Sequence, residues 1–110
     1  MTALLVALGA AVGAPLRYVL AHLLDGRWPA GTMAANVLGS LLIGFFSALA
    51  LGGHAWALLA TGLCGALTSF SSFAVQSVER GPRVGSAYAA ATIGLAVAAC
   101  ALGFALGTLV

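Results

Sequence analysis

The sequence predicts an all-α membrane protein with four transmembrane helices, the third of them broken. Of the 110 residues, 63% are hydrophobic and 5% are charged, whereas about a quarter are charged in a soluble domain. Four apolar runs reach the length of about 20 residues that a bilayer-spanning helix requires. The third run contains a segment rich in Gly, Ser and Thr. The predicted spans are residues 3–24, 31–52, 55–78 and 84–109 of a single domain, 1–110.

Three short polar segments separate these runs. Residues 25–29 combine a turn signal, a charge pair and an interfacial Trp, residues 52–54 form a tight second connection, and residues 79–83 form the most polar one. The first run is not predicted to be a secretory signal, because Arg17 lies within its apolar part and no basic region precedes it. Almost nothing remains outside the spans, so we expect no soluble domain.

The segment at residues 62–73 indicates where a function lies. It reads Gly-Leu-Cys-Gly-Ala-Leu-Thr-Ser-Phe-Ser-Ser-Phe, and hydrocarbon tolerates irregular, polar-rich backbone only where protein buries it or where it lines a watery path. Phe70 and Phe73 then share one helical face. Aromatic residues in membrane helices usually face lipid or fill a core, but beside such a break their electropositive ring edges can contact an anion.

Uncharged polar side chains accompany this segment. The second span places on one face Thr32, Asn36, Ser40 and Ser47. Such residues often form hydrogen bonds between helices, but Asn36 carries two N–H donors and is costly to bury, which favours a functional role. Tyr88 and Thr92 form a similar pair in the fourth span, with packing or interfacial anchoring as the alternative. The donors available to a small, strongly hydrated anion are Asn36, Ser71, Ser72 and Thr92.

Other classes of function lack the residues that they need. Proton-coupled transporters require an ionisable group inside the membrane, and the carboxylates here, Asp25 and Glu79, lie at loop edges. The small multidrug exporters, of the same length and span number, depend on a glutamate in the first helix, so a passive path is favoured over such an exporter. We find no nucleophile–base–acid set of an enzyme, no metal-binding His/Cys cluster and nothing that indicates nucleic acid. Cys64 and Cys100 are expected to be small packing residues.

Glycines and one arginine complete the pattern. Gly9 and Gly13 are spaced for close helix approach, as are Gly103 and Gly107. Arg17 either extends to the membrane interface or attracts an anion in a vestibule. The residues alone leave these two roles of Arg17 open.

These motifs resemble the CrcB/Fluc family of bacterial fluoride channels. Gly9-x-x-x-Gly13-Ala14-x-x-Arg17-Tyr18 is similar to the family's opening GxxxGAxxRY, and Gly31-Thr32-x-x-x-Asn36-x-x-Gly39-Ser40 to its GTxxxNxxGS. Residues 62–73 resemble its GxCGGxTTFSTF signature. The spacing of all four spans also fits, so the resemblance covers essentially the whole chain.

The resemblance implies an antiparallel, dual-topology dimer with two narrow pores between its subunits. It assigns the pore amide to Asn36, the pore rings to Phe70 and Phe73, and a polar track to Tyr88 and Thr92. Further implied are a vestibule role for Arg17 and a buried structural Na⁺ on the dimer axis, held by the backbone carbonyls of Gly65 and Thr68. The chain departs from the family pattern at Ala66, Ser69, Ser72 and Ala96.

The charges of the connections leave the dimer type open. The first and third connections share one side and hold Arg27, Arg80 and Arg83, whereas the other side has no Lys or Arg. By the positive-inside rule both termini would then face outside, although a dual-topology homodimer should show almost no bias. We expect a homodimer, with a heterodimer of homologous subunits as the alternative.

The sequence therefore predicts a fluoride-selective channel in the bacterial plasma (inner) membrane, surrounded by lipid. HF that enters a cell dissociates there, and a passive anion path would let F⁻ leave and so relieve toxicity. A small proton-coupled exporter is the second possibility. A structural subunit without transport is the third.

Overall fold

A computed structural model describes residues 1–26 and 28–110 of the chain. Within these residues, four helices are long and apolar enough to cross a membrane: Thr2–Leu24, Ala30–Ala48, Gly53–Glu79 and Gly81–Thr108. The only other regular structure in the described ranges is an isolated antiparallel bridge between Asp25 and Pro29. The predicted all-α class with four spans is confirmed.

The first two helices are α1 (Thr2–Leu24) and α2 (Ala30–Ala48). Helix α2 begins directly after Pro29, a residue that suits a helix start because it has no N–H to satisfy. It ends earlier than the predicted boundary at residue 52. The reason is Ala50, whose φ of 51° lies in the left-handed region and cannot continue a right-handed helix.

The third span consists of four helical pieces: α3 (Gly53–Trp56), a π-helical segment (Ala57–Cys64), α4 (Gly65–Leu67) and α5 (Phe70–Glu79). Thr68 and Ser69 interrupt it with extended backbone, at ψ of 154° and 108°. The predicted break is therefore present. Gly81, at φ 84°, then opens α6 (Gly81–Thr108) in a conformation that favours glycine.

The helices pack through small residues. Helix α1 lies along the π-helical segment, and α2 lies along α6. A Cβ atom at Gly9 would overlap the carbonyl oxygen of Leu58, and one at Gly103 would overlap the carbonyl oxygen of Leu41. Gly13 is confined by the carbonyl oxygen of Leu63, and Gly107 by the methyl group of Ala48 and the carbonyl oxygen of Phe45. The predicted close approach at both glycine pairs is confirmed.

The outer surface is apolar along the length of the bundle. Many large side chains are exposed, among them Leu4, Val12, Leu102 and Leu109. The molecule measures 43 × 29 × 19 Å, and its long dimension is close to the roughly 40–45 Å of a bilayer with its headgroups. An apolar surface of this extent requires lipid or a partner subunit around it. The chain is a multi-pass membrane protein.

The first and third connections meet at one end of the bundle. Arg80 Nη2 donates to the carbonyl oxygen of Gly26 over 3.0 Å, and Arg83 is exposed nearby in sequence. Arg27, the third arginine of the topology prediction, lies outside the described residues. Cys64 is buried and Cys100 is half-buried, and both are free thiols.

Candidate functional site

The break in the third span is held by Asn36. The side-chain Oδ1 of Asn36 accepts from the backbone N–H of Ser69 over 2.7 Å, and its Nδ2 donates to the carbonyl of the same residue over 3.4 Å. Extended backbone inside a span lacks the helical partners of a peptide group, and a buried unsatisfied group costs about 1–3 kcal/mol. The carboxamide of Asn36 satisfies both backbone groups of Ser69, because it offers one acceptor and one donor side by side.

Ser69 restarts the helix after the break. Its Oγ accepts from the backbone N–H of Ser72 over 3.1 Å, the N-cap arrangement. The hydroxyl of Ser71 lies 3.3 Å from that same oxygen. The amino end of α5 therefore begins in the interior of the span and not at its end.

These two interactions also release two backbone carbonyls. In an unbroken helix the Gly65 carbonyl would accept from the N–H of Ser69, and the Thr68 carbonyl from that of Ser72. Both N–H groups donate instead to side chains, namely Asn36 Oδ1 and Ser69 Oγ. Gly65 and Thr68, the two residues that the resemblance assigns to a cation, thus lose the donors that a continuous helix would supply.

A groove of about 390 Å³ lies between α2, the break and α6. It brings together six of the predicted site residues: Asn36, Gly65, Thr68, Phe70, Phe73 and Thr92. Ser40 lines it as well, and so does Ala96, one of the positions at which the chain departs from the family pattern. Ser71 and Ser72 line a separate groove of about 290 Å³ together with Gln76 and Glu79.

Aromatic rings run from the groove into the bundle. The ring centroids of Phe70 and Phe73 are 5.9 Å apart, those of Phe73 and Tyr88 are 5.5 Å apart, and Trp28 meets Tyr88 edge-on at 5.7 Å. Exposure falls steeply along this row, from 80% at Phe70 to 0% at Tyr88. Phe70 is thus exposed at the surface, whereas Tyr88 packs against Phe73 from the interior of the bundle.

Two buried hydroxyls lie close to each other beside this region. Tyr88 Oη and Thr92 Oγ1, one turn apart on α6, make no well-formed hydrogen bond to the described part of the chain, although buried polar groups are nearly always paired. Thr92 is 4% exposed and lines the groove. It therefore presents an unsatisfied donor to that space.

Arg17 stands apart from these residues. It is half-buried on α1 and does not line the groove. Among the residues that the structure describes, no side chain forms a hydrogen bond or ion pair with its guanidinium. Both predicted roles of Arg17 stay predictions.

Asp25 and Gln76 were not predicted as site residues, yet together with Gly31 and Thr32 they form a connected polar group. Asp25 Oδ1 accepts from the N–H groups of Gly31 and Thr32 over 2.7 and 3.0 Å. Its Oδ2 accepts from Thr32 Oγ1 over 3.0 Å and from Gln76 Nε2 over 3.1 Å. A carboxylate just ahead of a helix start was a usable signal for Asp25. For Gln76 the signal was its position one turn beyond Ser72 on the same helical face.

Comparison with known proteins identifies the relatives of the chain. Residues 4–107 match the family described as CrcB-like protein, Camphor Resistance (CrcB). A Rhodococcus jostii protein named fluoride-specific ion channel FluC 2 is 42% identical over 112 residues, which cover 96% of this chain and 98% of that protein. A Streptomyces avermitilis protein named fluoride-specific ion channel FluC 1 is also 42% identical, over 96% of this chain and 90% of its own length. A Natronomonas pharaonis protein named fluoride-specific ion channel FluC 2 is 43% identical, over 97% and 95% respectively.

Proposed function

The chain belongs to the CrcB family, and on this premise we propose that it is a fluoride-selective ion channel through which F⁻ leaves the cytoplasm passively. The observation that carries the proposal is the identity of about 42%, over nearly the full length of both chains, to proteins named fluoride-specific ion channels. An ion channel is not a class of enzyme. Passive export would relieve fluoride toxicity, because HF that crosses the membrane dissociates inside and its anion then has a way out.

The groove has the chemistry that a small hydrated anion needs. F⁻ can leave water only where hydrogen-bond donors and other electropositive groups replace the hydration shell. One of the two N–H donors of Asn36 bonds the carbonyl of Ser69, so the second is available to an anion. Thr92 adds a buried hydroxyl that makes no well-formed hydrogen bond to the residues the structure describes, and Phe70 and Phe73 add ring edges. No full positive charge is needed in this set, which suits selective passage better than tight binding.

Ser71, Ser72 and Tyr88 take roles next to that groove. The hydroxyls of Ser71 and Ser72 line the second groove at the start of α5, where they continue the donors toward the end of the bundle. Tyr88 backs Phe73 and places its hydroxyl one turn from Thr92. Arg17 acts in a vestibule, where it would raise the local concentration of anions.

A second subunit completes the path. The groove is open along one side, and Phe70 beside it is 80% exposed. A second copy of the chain, inserted in the opposite direction, would cover these rings and close the space. We propose a homodimer of this kind, with a heterodimer of two homologous subunits as the alternative.

The break also offers a place for a structural Na⁺. The carbonyls of Gly65 and Thr68 are released from the helix, and a two-fold axis through the break would gather four such oxygens from two chains. Backbone oxygens suit a hard monovalent cation, and the described residues contain no cluster of His, Cys, Asp and Glu that would select another metal. The cation, when bound, would offset the repulsion between carbonyl dipoles that face each other across the interface.

A small proton-coupled exporter is the less favoured function. Asp25 and Glu79 are the only carboxylates of the chain, and Asp25 is engaged by four donors at the end of the bundle. No acidic side chain is left at the depth of Asn36 to carry a proton. The setting we propose is the bacterial plasma (inner) membrane.

The test is fluoride efflux from liposomes that contain this protein alone, measured with a fluoride electrode and with chloride efflux as a control. We expect F⁻ loss without Cl⁻ loss, and we expect Phe70→Ile to slow it about tenfold or more, because the ring edge is lost while the apolar volume is largely kept. Val78→Ala is the matched control, since Val78 is also on α5 and is 82% exposed. Absence of flux from folded protein would rule out a self-sufficient homodimer, and co-expression with a homologous subunit would then decide between a heterodimer and a protein without channel activity.

A further inference from the structure

We propose that Asp25 and Gln76 are positioning residues of the ion path, because their hydrogen bond fixes α5, and with it Phe73, against the start of α2. This inference rests on the proposed channel function. Neither residue lines the groove that contains Asn36 and Phe73, and Gln76 borders only the second groove. They act on that groove through the helices that carry it.

The carboxylate of Asp25 is a fixed point. Each of its two oxygens accepts two hydrogen bonds from described residues. Three of these four bonds are donated by Gly31 and Thr32, in the first turn of α2. Pro29, the N-cap residue of α2, has no side chain that could satisfy those N–H groups. Asp25 therefore caps α2 from the preceding connection, where the positive end of the helix dipole also favours a carboxylate.

The fourth bond orients Gln76. A carboxylate only accepts, so Gln76 must turn its Nε2 toward Asp25 and its Oε1 away. That Oε1 is buried and has no partner among the described residues, which is unfavourable for a carbonyl oxygen. The bond to Asp25 is thus the one interaction that holds the amide in this orientation.

Helix α5 depends on such bonds for its position relative to α2. None of its residues is buried, and its packing contacts are mainly with α6. Its links to α2 are polar and lie near its two ends: the pair of Ser69 with Asn36, and the pair of Gln76 with Asp25. Phe73 lies between Ser69 and Gln76, one turn from each. Arg80, just beyond α5, also donates to the carbonyl oxygen of Gly26, but this contact is exposed. The links at Ser69 and Gln76 flank Phe73 and so set the width of the groove between Phe73 and Asn36, and loss of the Gln76 link would let that part of α5 shift away from α2.

A simple charge effect predicts the opposite result. If Asp25 mattered only as a negative charge near the path, Asp25→Asn would leave F⁻ flux unchanged or raise it, since the carboxylate repels anions. If Asp25 positions α5, the same change lowers the flux. The new amide oxygen would stay with the N–H groups of Gly31 and Thr32, so that its NH₂ would face the NH₂ of Gln76.

The decisive experiment compares F⁻ efflux per folded protein in liposomes for four variants of the full chain. Asp25→Asn and Gln76→Met each remove the bond, and Gln76→Glu sets two carboxylates against each other. We expect each to lower the flux about tenfold. In the double variant Asp25→Asn/Gln76→Glu, the amide introduced at position 25 can donate to the carboxylate introduced at position 76. Flux should then return to within about threefold of the unmodified protein. Val78→Ala, at an exposed residue of the same helix that lines neither groove, serves as the matched control and should change nothing.

Several results would overturn the proposal. One is normal flux per folded protein in Gln76→Met, which leaves the cap of α2 intact and remains informative even if Asp25→Asn does not fold. Another is failure of the double variant to recover. Amide hydrogen exchange across Phe70–Glu79 tests this inference separately from the channel function. If the unmodified protein carries no F⁻, the proposed function fails, but exchange rates still show whether the hydrogen bond between Asp25 and Gln76 holds α5 in place. Faster exchange in Gln76→Met, reversed in the double variant, would support the positioning role of this hydrogen bond, whereas unchanged exchange would refute it.

Discussion

The two halves of the third span are held in the bundle by different forces. Before the break the chain is packed against α1, with backbone close to backbone, and its buried residues are Ala57, Ala60, Gly62, Cys64 and Leu67. After the break α5 buries no residue, and it and its two flanking residues, Ser69 and Arg80, are attached by hydrogen bonds that Asn36, Asp25 and Gly26 accept. One half is fixed by shape and the other by a few directed contacts.

This difference follows from the solvent. Lipid chains are as apolar as leucine, so burial of apolar side chains does not drive helices together in a membrane, and close packing of small residues does so instead. Such packing leaves no space between helices and thus no path for an ion. A helix held by directed hydrogen bonds can keep one face open, and α5 is the half that carries Phe70, Phe73 and both serines of the second groove. The half that is less buried is the half with the functional residues.

The largest effect is expected from a disturbance of the packed half. Gly9→Val would place a branched side chain on the carbonyl oxygen of Leu58 and the backbone of Leu63, neither of which can move without shifting the π-helical segment. We expect the free energy of unfolding to fall by at least about 3 kcal/mol. Loss of helical circular dichroism during titration of the micellar protein with a denaturing detergent measures this.

Gly94→Ala is the control for that substitution. Gly94 is also a helix-interior glycine, but a Cβ there meets nothing within 4 Å. Alanine should therefore raise stability by about 0.5–1 kcal/mol through its better helix propensity. Equal destabilisation by both changes would contradict the assignment of Gly9 to a packing site.

A medium effect is expected at the link between the halves. Asn36→Leu keeps similar volume but leaves the N–H and carbonyl of Ser69 without their side-chain partner. The free energy of unfolding should fall by about 1–3 kcal/mol, and F⁻ efflux should be lost because the break is no longer held open toward the groove. Ser47→Ala on the same helix should stay within about 0.5 kcal/mol of the original. The hydroxyl of Ser47 bonds only the carbonyl of Ile43 one turn before it.

The same contrast explains how much the sequence could predict. The spans, the break and the glycine contacts are local properties, since each follows from apolar length or from the spacing of small residues within one helix. The polar face of the second span could also be predicted from the sequence, but its four polar residues make four different kinds of contact. Thr32 binds Asp25, Asn36 holds the break, Ser40 lines the groove and Ser47 bonds its own helix.

The hydrogen bonds that hold α5 could not be predicted in this way. Asn36 and Ser69 are 33 positions apart, and Asp25 and Gln76 are 51 apart. No periodicity relates residues at such separations, because their meeting depends on how whole helices pack. The cost of burying an amide indicated Asn36 as important, but its partner became visible only in the fold. Gln76 gave a weaker signal because a glutamine near the end of a span is usually an interfacial residue.

The smallest effect on stability is expected at Thr92, where stability and flux should separate. Thr92→Val keeps the shape of the side chain and removes a buried hydroxyl that makes no well-formed hydrogen bond with the described residues. A buried, unpaired hydroxyl contributes nothing favourable to folding, so the free energy of unfolding should change by less than about 1 kcal/mol, with a gain as the expected sign. F⁻ efflux should nevertheless fall about tenfold, because the groove loses a donor for the desolvated anion. Detergent titration and liposome efflux on the same preparation measure both quantities. If stability instead fell and flux per folded protein stayed the same, Thr92 would belong with the packed half of the molecule and not with the ion path.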